Sequence, residues 1–413
     1  MKVEIEKLVI TPMFLLLGAG ALALGGCQTA EVREYETDSL KPFAFQSPIP
    51  KGLQKGARKF DSAPSVTVSP KGRVWVAWHA GGDTEGEDNA ILVATSGDGG
   101  KTWSEPLFAI DAPGPLRGLD PGLWTDPDGK VWLFYAQIYS FWDGRGGVWA
   151  AHPLDPEKAD TAWTEPVRLC DGFMKNKPIV ASDGRWLLPV EFMNIDPSVG
   201  NLPRLRPMKG PEAHPMPEFK ASNLFVSSDG GKTVRFLGRS RIPTAHRDCT
   251  ENMVVERKDK SLWMLTRTRY GIGEAESRDG GRTWTETRPY PVLNANSRFF
   301  IGRLRSGALL LVKNGPVDAL SDRAGGRVCI TAYVSDDDGR TWTGGLKLDP
   351  RDNVSYPDVA EDADGFLHAV NDHERTKAQE IMHHRFTEAD VRAGRLVTPG
   401  SRLGDIVTRG GGK

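Results

Sequence analysis

The octapeptide Ser335-Asp-Asp-Asp-Gly-Arg-Thr-Trp342 has a near copy at Ser277 to Trp284 and another at Ser96 to Trp103. A fourth version, Ser227-Ser-Asp-Gly-Gly-Lys-Thr233, puts Val234 in the tryptophan slot, and Ala162-Trp163-Thr-Glu-Pro166 keeps little beyond the tryptophan. In such a turn the aspartate can accept hydrogen bonds from backbone amides, glycine takes a backbone shape closed to other residues, and tryptophan packs beneath the hairpin. The copies recur every ~50–70 residues, and each interval holds about four short strands, the size of one propeller blade. A second phrase supports the count. Ser69-Pro-Lys-Gly72, Asp126-Pro-Asp-Gly129, Ser182-Asp-Gly184, Lys258-Asp259, Arg305-Ser-Gly307 and Asp362-Ala-Asp-Gly365 each sit between two apolar runs, predicting six hairpins and six blades.

The runs between these turns are short and rich in β-branched and aromatic residues, such as Val74-Trp-Val-Ala-Trp78 and Ile91-Leu-Val-Ala94. Only Thr387 to Gly394 has helical character, so the fold class expected is all-β. A chain of 413 residues is long enough for one large all-β domain. Its net charge of -1 gives no electrostatic reason to expect nucleic acid as a partner.

The first residues read as a targeting segment. Leu8 to Leu24 is almost wholly apolar and ends in Leu24-Gly25-Gly26-Cys27, a pattern that resembles a bacterial lipoprotein signal with lipidation at Cys27. The other reading is an uncleaved membrane anchor. The division expected is a signal over 1–26, a lipidated tether over 27–55 and a propeller over 56–413, held at the bacterial cell envelope by its lipid alone. The three remaining cysteines, Cys170, Cys249 and Cys329, are too few and too scattered for a disulfide framework.

The repeated octapeptide is the Asp-box, and the chain from Phe60 onward resembles the bacterial sialidases and their relatives, which are six-bladed β-propellers. The resemblance implies that the box aspartates Asp98, Asp229, Asp279 and Asp337 are structural, since in that family these turns lie on the blade periphery. It also implies an exo-acting, retaining glycoside hydrolase that uses a tyrosine nucleophile, because the substrate's own carboxylate would repel an acidic one. Arginines hold that carboxylate through their planar forks.

The family motifs then map onto residues. Thr250-Glu251-Asn-Met-Val-Val-Glu256 followed by Leu265-Thr-Arg267 implies Glu251 as the base that activates the tyrosine and Arg267 as a carboxylate-binding arginine. Arg327, eight residues before Ser335, corresponds to a second arginine. Tyr356, in Val354-Ser-Tyr-Pro-Asp358, corresponds to the nucleophile. The first arginine of the family triad is missing, because Ser62-Ala63-Pro64 stands where Arg-Ile-Pro is expected. Arg58 or Lys59 is the substitute expected, supported by Asp372. The acid/base aspartate belongs to the loop His79 to Asp88, with Asp83 as the nearest match and Glu85 and Asp88 as competitors. Lys177, Arg247 and Arg298 are further candidates to reach the central face and bind substrate. The resemblance implies no cofactor, no metal, a glycan substrate and a monomer. Two other functions stay open: a glycan-binding protein without turnover, and a lyase or hydrolase for another acidic sugar.

Overall fold

In a computed structural model, residues 37–411 are described, apart from 87, 113–115, 139–144, 193–218 and 220. The expected signal and Cys27 lie outside the described residues. Six antiparallel sheets follow one another along the chain, one for each predicted hairpin. Their innermost strands are Asp61–Val68, Arg117–Thr125, Ile179–Val180, Asn252–Glu256, Phe300–Arg303 and Val354–Glu361. The chain is an all-β, six-bladed propeller.

Blades hold together face to face, so most inner strands are buried on both sides and their apolar runs are nearly continuous. An apolar cluster fills each gap between neighbours, and the ring is closed by the one joining the first and sixth blades, with Val76, Trp78, Val370 and Ile381. Polar contacts reinforce that closure. Ser65 Oγ and Val66 N donate to Asp358 Oδ2 across the first and sixth blades at 2.6 and 2.9 Å.

The Asp-boxes do what their residue types dictate. Asp337 accepts from Thr341 N at 2.9 Å, from the Thr341 hydroxyl at 2.6 Å and from Ser335 Oγ at 2.8 Å. Asp98, Asp229 and Asp279 repeat the pattern. These hydrogen bonds, the threonine ones foremost, hold Asp229, Asp279 and Asp337 down to about 2. Glycine is required at Gly339, where φ is 87° and a Cβ would lie 2.5 Å from the ring of Trp263 in the neighbouring blade. The degenerate copy keeps its purpose too, since Trp163 packs edge-on against Trp75 and Phe108.

One boundary differs from the sequence reading. The end of the expected tether belongs to the propeller: Phe45–Gln46 adds a fifth strand to the first blade, Phe45 stacks on Phe108 at 4.7 Å, and Leu53 is buried. An isolated pair of aromatic residues between prolines carries no strand period, so this docking leaves no local signal.

Candidate active site

Tyr356 is the centre of the site. It lies near the start of the sixth blade's inner strand, 5 % exposed, with a φ of 55° and a register shift between Ser355 and Asp358. A positive φ in a bulky residue is costly and persists only where the surroundings impose it. Here the guanidinium carbons of Arg298, Arg327 and Arg375 stand 5.4, 5.3 and 5.7 Å from the ring centroid. Arg267 Nη1 donates to the phenol oxygen at 3.2 Å. Four cations therefore surround one phenol, an arrangement that repels other cations and attracts an anion.

The elements explain the convergence. Arg267 comes from the second strand of the fourth blade, beside Glu251 at the head of the first, and their backbones pair from Arg267 N to Glu251 O at 3.1 Å. Arg327 precedes the third strand of the fifth blade, and Arg375 follows the second strand of the sixth. Asn296 ties two of these arginines together, accepting from Arg267 Nε at 2.7 Å through its side chain and from Arg327 Nη2 at 3.2 Å through its carbonyl. Two of these arginines face a cleft of about 380 Å³, lined by Arg327, Arg375, Ser355 and Glu85 among others.

Glu251 is buried, and its Oε1 accepts from both Arg267 Nη1 and Lys175 Nζ at 3.0 Å. Burial would raise its pKa, but Arg267 and then Lys175 outweigh it and hold the carboxyl well below the usual range. Its other oxygen, Oε2, is buried without a hydrogen-bond partner. Lys175 is kept charged against its own burial by Asp120 and Glu251. Burial pushes the carboxyls of Asp120 and Glu191 up.

The structure thus brings together Tyr356, Glu251, Arg267 and Arg327. Several other expected positions are corrected. Arg58 turns inward: its Nε pairs with Asp61 at 2.9 Å and its other nitrogens reach Leu53 O and Thr408 Oγ1, so it does not replace the missing arginine. Asp372 hydrogen-bonds no arginine side chain among the described residues, although its charge favours the charged forms of Arg375 and Arg327. It accepts from Ser62 Oγ at 2.7 Å, Ala63 N at 3.1 Å and Ser355 Oγ at 2.6 Å, which fixes the strand heads of the first and sixth blades. Asp83 pairs with Lys59 at 3.0 Å in a separate, open cleft that also holds Asp88. Of the three candidate acids only Glu85 lines the arginine cleft, 3.7 Å from Arg375, and that cation lowers its pKa against the effect of burial.

Lys177 is drawn into an ion pair with Asp358 and borders a different cavity with Trp124, Val180 and Arg303. Arg247 donates to the carbonyl of Ile242 at 3.2 Å and does not line the arginine cleft. Arg298 belongs to the cluster but is spent on structure: it donates to Lys175 O, Pro64 O and Tyr356 O at 2.8, 2.8 and 3.1 Å. A guanidinium whose two terminal nitrogens are engaged by three carbonyls, with Nε buried and unpaired, is a bracket for the loops rather than a free anion site.

The residues that sequence reasoning missed are Arg375, Lys175, Asp120 and Glu191. Arg375 stands beside the Ser62 position, its carbonyl accepting from Asp61 N at 3.1 Å, and brings a cation to the cleft. Lys175 and Asp120 each had a local signal, adjacency to Asn176-Lys177-Pro178 and an Asp-Pro step resembling Tyr356-Pro357.

The sequence over residues 72–369 matches the family model described as BNR repeat-like domain. The chain belongs to that family. Among curated proteins none matches it. Solved structures share the fold of this BNR-repeat chain at low identity. A protein of unknown function from Dyadobacter fermentans has a TM-score of 0.55 at 16 % identity, covering 86 % of this chain and 98 % of its own. The intramolecular trans-sialidase from Ruminococcus gnavus, in complex with oseltamivir carboxylate, has a TM-score of 0.56 at 14 % identity over 82 % and 96 % of the two chains. A leech intramolecular trans-sialidase has a TM-score of 0.57 at 14 % identity over 81 % and 69 %. The BNR-repeat chain is therefore sialidase-like in fold, and its activity has to be argued from its own residues.

Proposed function

We propose that this chain is an exo-acting, retaining glycoside hydrolase of the sialidase type, removing terminal sialic acid or a related acidic sugar, with Tyr356 as nucleophile. The observation that carries the reading is the guanidinium cage around Tyr356, open to a cleft through Arg327 and Arg375. Those two arginines, with Arg267 beneath, receive the sugar carboxylate and bring the anomeric carbon over the phenol. Glu251, through its free Oε2, is the base for the phenol proton. A screen of acidic glycans for released terminal sugar tests this. Product from the wild type and none from Tyr356→Phe is expected; equal release by both rules out the nucleophile.

A second reading rests on one specific feature. Glu251 spends Oε1 on Lys175 and Arg267, and its hydrogen bonds do not include Tyr356. A site frozen in that state binds an acidic glycan without cleaving it. Tight binding with no product after long incubation favours this reading. On either account the protein is held at the cell envelope through Cys27, and Cys27→Ala abolishes incorporation of labelled fatty acid.

A further inference from the structure

The hydrolase reading needs an acid to protonate the leaving group, and Asp83, in its separate cleft, is not placed for it. A repeated feature of the inner strands suggests another residue. Three of these strands carry, at their third or fourth residue, a positive φ followed by proline: Ala63-Pro64 at 47°, Asp120-Pro121 at 52° and Tyr356-Pro357 at 55°. In each, the pairing with the next strand slips at this point, between Ser62 and Ser65, between Leu119 and Gly122, and between Ser355 and Asp358. Such a bulge re-aims a side chain and costs conformational energy, so it is kept where aim matters. In the sixth blade it presents Tyr356 to the site. In the second blade the same device presents Asp120.

Asp120 is 4 % exposed, and its Oδ2 lies 3.3 Å from Lys175 Nζ without making a hydrogen bond. Lys175 also holds Glu251, Glu251 holds Arg267, and Arg267 reaches the Tyr356 oxygen, so one line of polar contacts crosses the face from one bulge to the other. We propose that Asp120 is the acid/base residue of the reaction, a role resting on the hydrolase reading above. In the first step the Tyr356 oxygen bonds to the anomeric carbon and its proton passes to Glu251. The bond from that carbon to the leaving oxygen breaks, and the leaving oxygen takes the proton of Asp120. In the second step water bonds to the anomeric carbon and gives a proton to Asp120, while the tyrosyl oxygen departs and recovers its proton from Glu251. All groups then return to their starting states.

Burial favours the neutral form of Asp120, and the Lys175 ammonium 3.3 Å away opposes it. Asp120 faces Lys175, Arg117, Glu85 and Glu251, and it in turn acts on Glu191; burial is the leading influence and favours the neutral acid. Glu85 is ion-paired to Arg375 and has no proton to give.

The test compares two substrates of one acidic sugar, a natural glycoside and an activated nitrophenyl glycoside whose leaving group needs no proton. Asp120→Ala is expected to lose about 100- to 10,000-fold on the natural glycoside and under about tenfold in the first step on the activated one. Added azide then restores turnover and yields the glycosyl azide. Asp120→Asn keeps the volume where alanine fails to fold, and it shows the same split with loss of the alkaline limb of kcat/KM. Equal losses on both substrates, no loss on either, or the split appearing in Glu85→Gln instead, overturn the assignment while the hydrolase reading stands. A wild type inert toward both substrates overturns that reading and this assignment with it.

Discussion

Replacing Arg298 by methionine tests how the site is held. The guanidinium, 2 % exposed, receives no carboxylate; it bridges the carbonyls of Pro64 in the first blade, Lys175 in the connection to the third and Tyr356 in the sixth. Methionine keeps much of the apolar stem, so the cavity left behind is small. What disappears is three charge-assisted hydrogen bonds of about 1.5–3 kcal/mol each, leaving buried carbonyls unsatisfied. Against this stands the recovered cost of burying a cation, itself several kcal/mol. The balance is a destabilisation of about 3–5 kcal/mol, similar to that for breaking a buried ionic contact. With an unfolding entropy of about 2.1 cal/mol/K per residue over about 350 residues, the melting temperature falls by roughly 4–7 °C. Calorimetry measures the fall, and turnover drops with it because the Tyr356 backbone loses its tie. A variant that melts within about 1 °C of the wild type and keeps full activity would show that Arg298 is not the bracket described here.

Three further outcomes follow from the same structure. Arg327→Met removes one charge-assisted contact to the substrate carboxylate, about 1.5–3 kcal/mol, so KM rises about 10- to 100-fold while the melting temperature changes little; an unchanged KM contradicts its role. Asp337→Ala empties one Asp-box turn and costs about 1 kcal/mol of stability without altering kcat or KM, and a loss of activity at unchanged stability would move the boxes into the chemistry. Lowering the pH from 7 to 5 takes stability away through three buried histidines. Burial holds His79 and His383 down to about 3 and His384 to about 4, so below about 6.5 the unfolded chain binds protons that the folded one refuses. Each costs about 2 kcal/mol by pH 5. Asp61, raised to about 6 by burial, opposes them, because its contribution is present below its unfolded value and lost as pH rises through 6; at pH 5 it returns about 1.4 kcal/mol, and Asp120 and Glu191, raised by burial as well, act in the same direction. His384 accepts from Gly404 N and pairs with Asn371 Oδ1, and His384→Gln shifts the change in unfolding free energy between pH 7 and 5 by about 2 kcal/mol in favour of the acidic side; an unaltered change refutes the assignment.

The fold was legible because its signals are local. An Asp-box needs only eight adjacent residues, and six hairpins at blade spacing leave few other architectures. Glu251, Arg267, Arg327 and Tyr356 were legible for a related reason: each sits at a fixed count from a box or an Asp-Gly turn, and strands transmit such counts without slippage. The failures lie where loops decide direction. Arg58 stands three residues from Asp61, and that carboxylate captures it, a pairing that strand spacing does not reveal. Arg375 lies in a turn after a strand, where position carries no period. Asp120 was written in plain letters before Pro121, but its parallel with Tyr356 needed the bulge to be seen in both blades.

The central claim is that Tyr356 carries the sugar during turnover. An acidic glycoside fluorinated beside the anomeric carbon and bearing an activated leaving group forms the glycosyl-enzyme but hydrolyses slowly. Intact-mass analysis of the wild type after incubation should show the addition of one glycosyl unit, and peptide mapping should place it on Tyr356, with none in Tyr356→Phe. Turnover of the unfluorinated sugar accompanied by no adduct, or by an adduct on any other residue, would contradict the account.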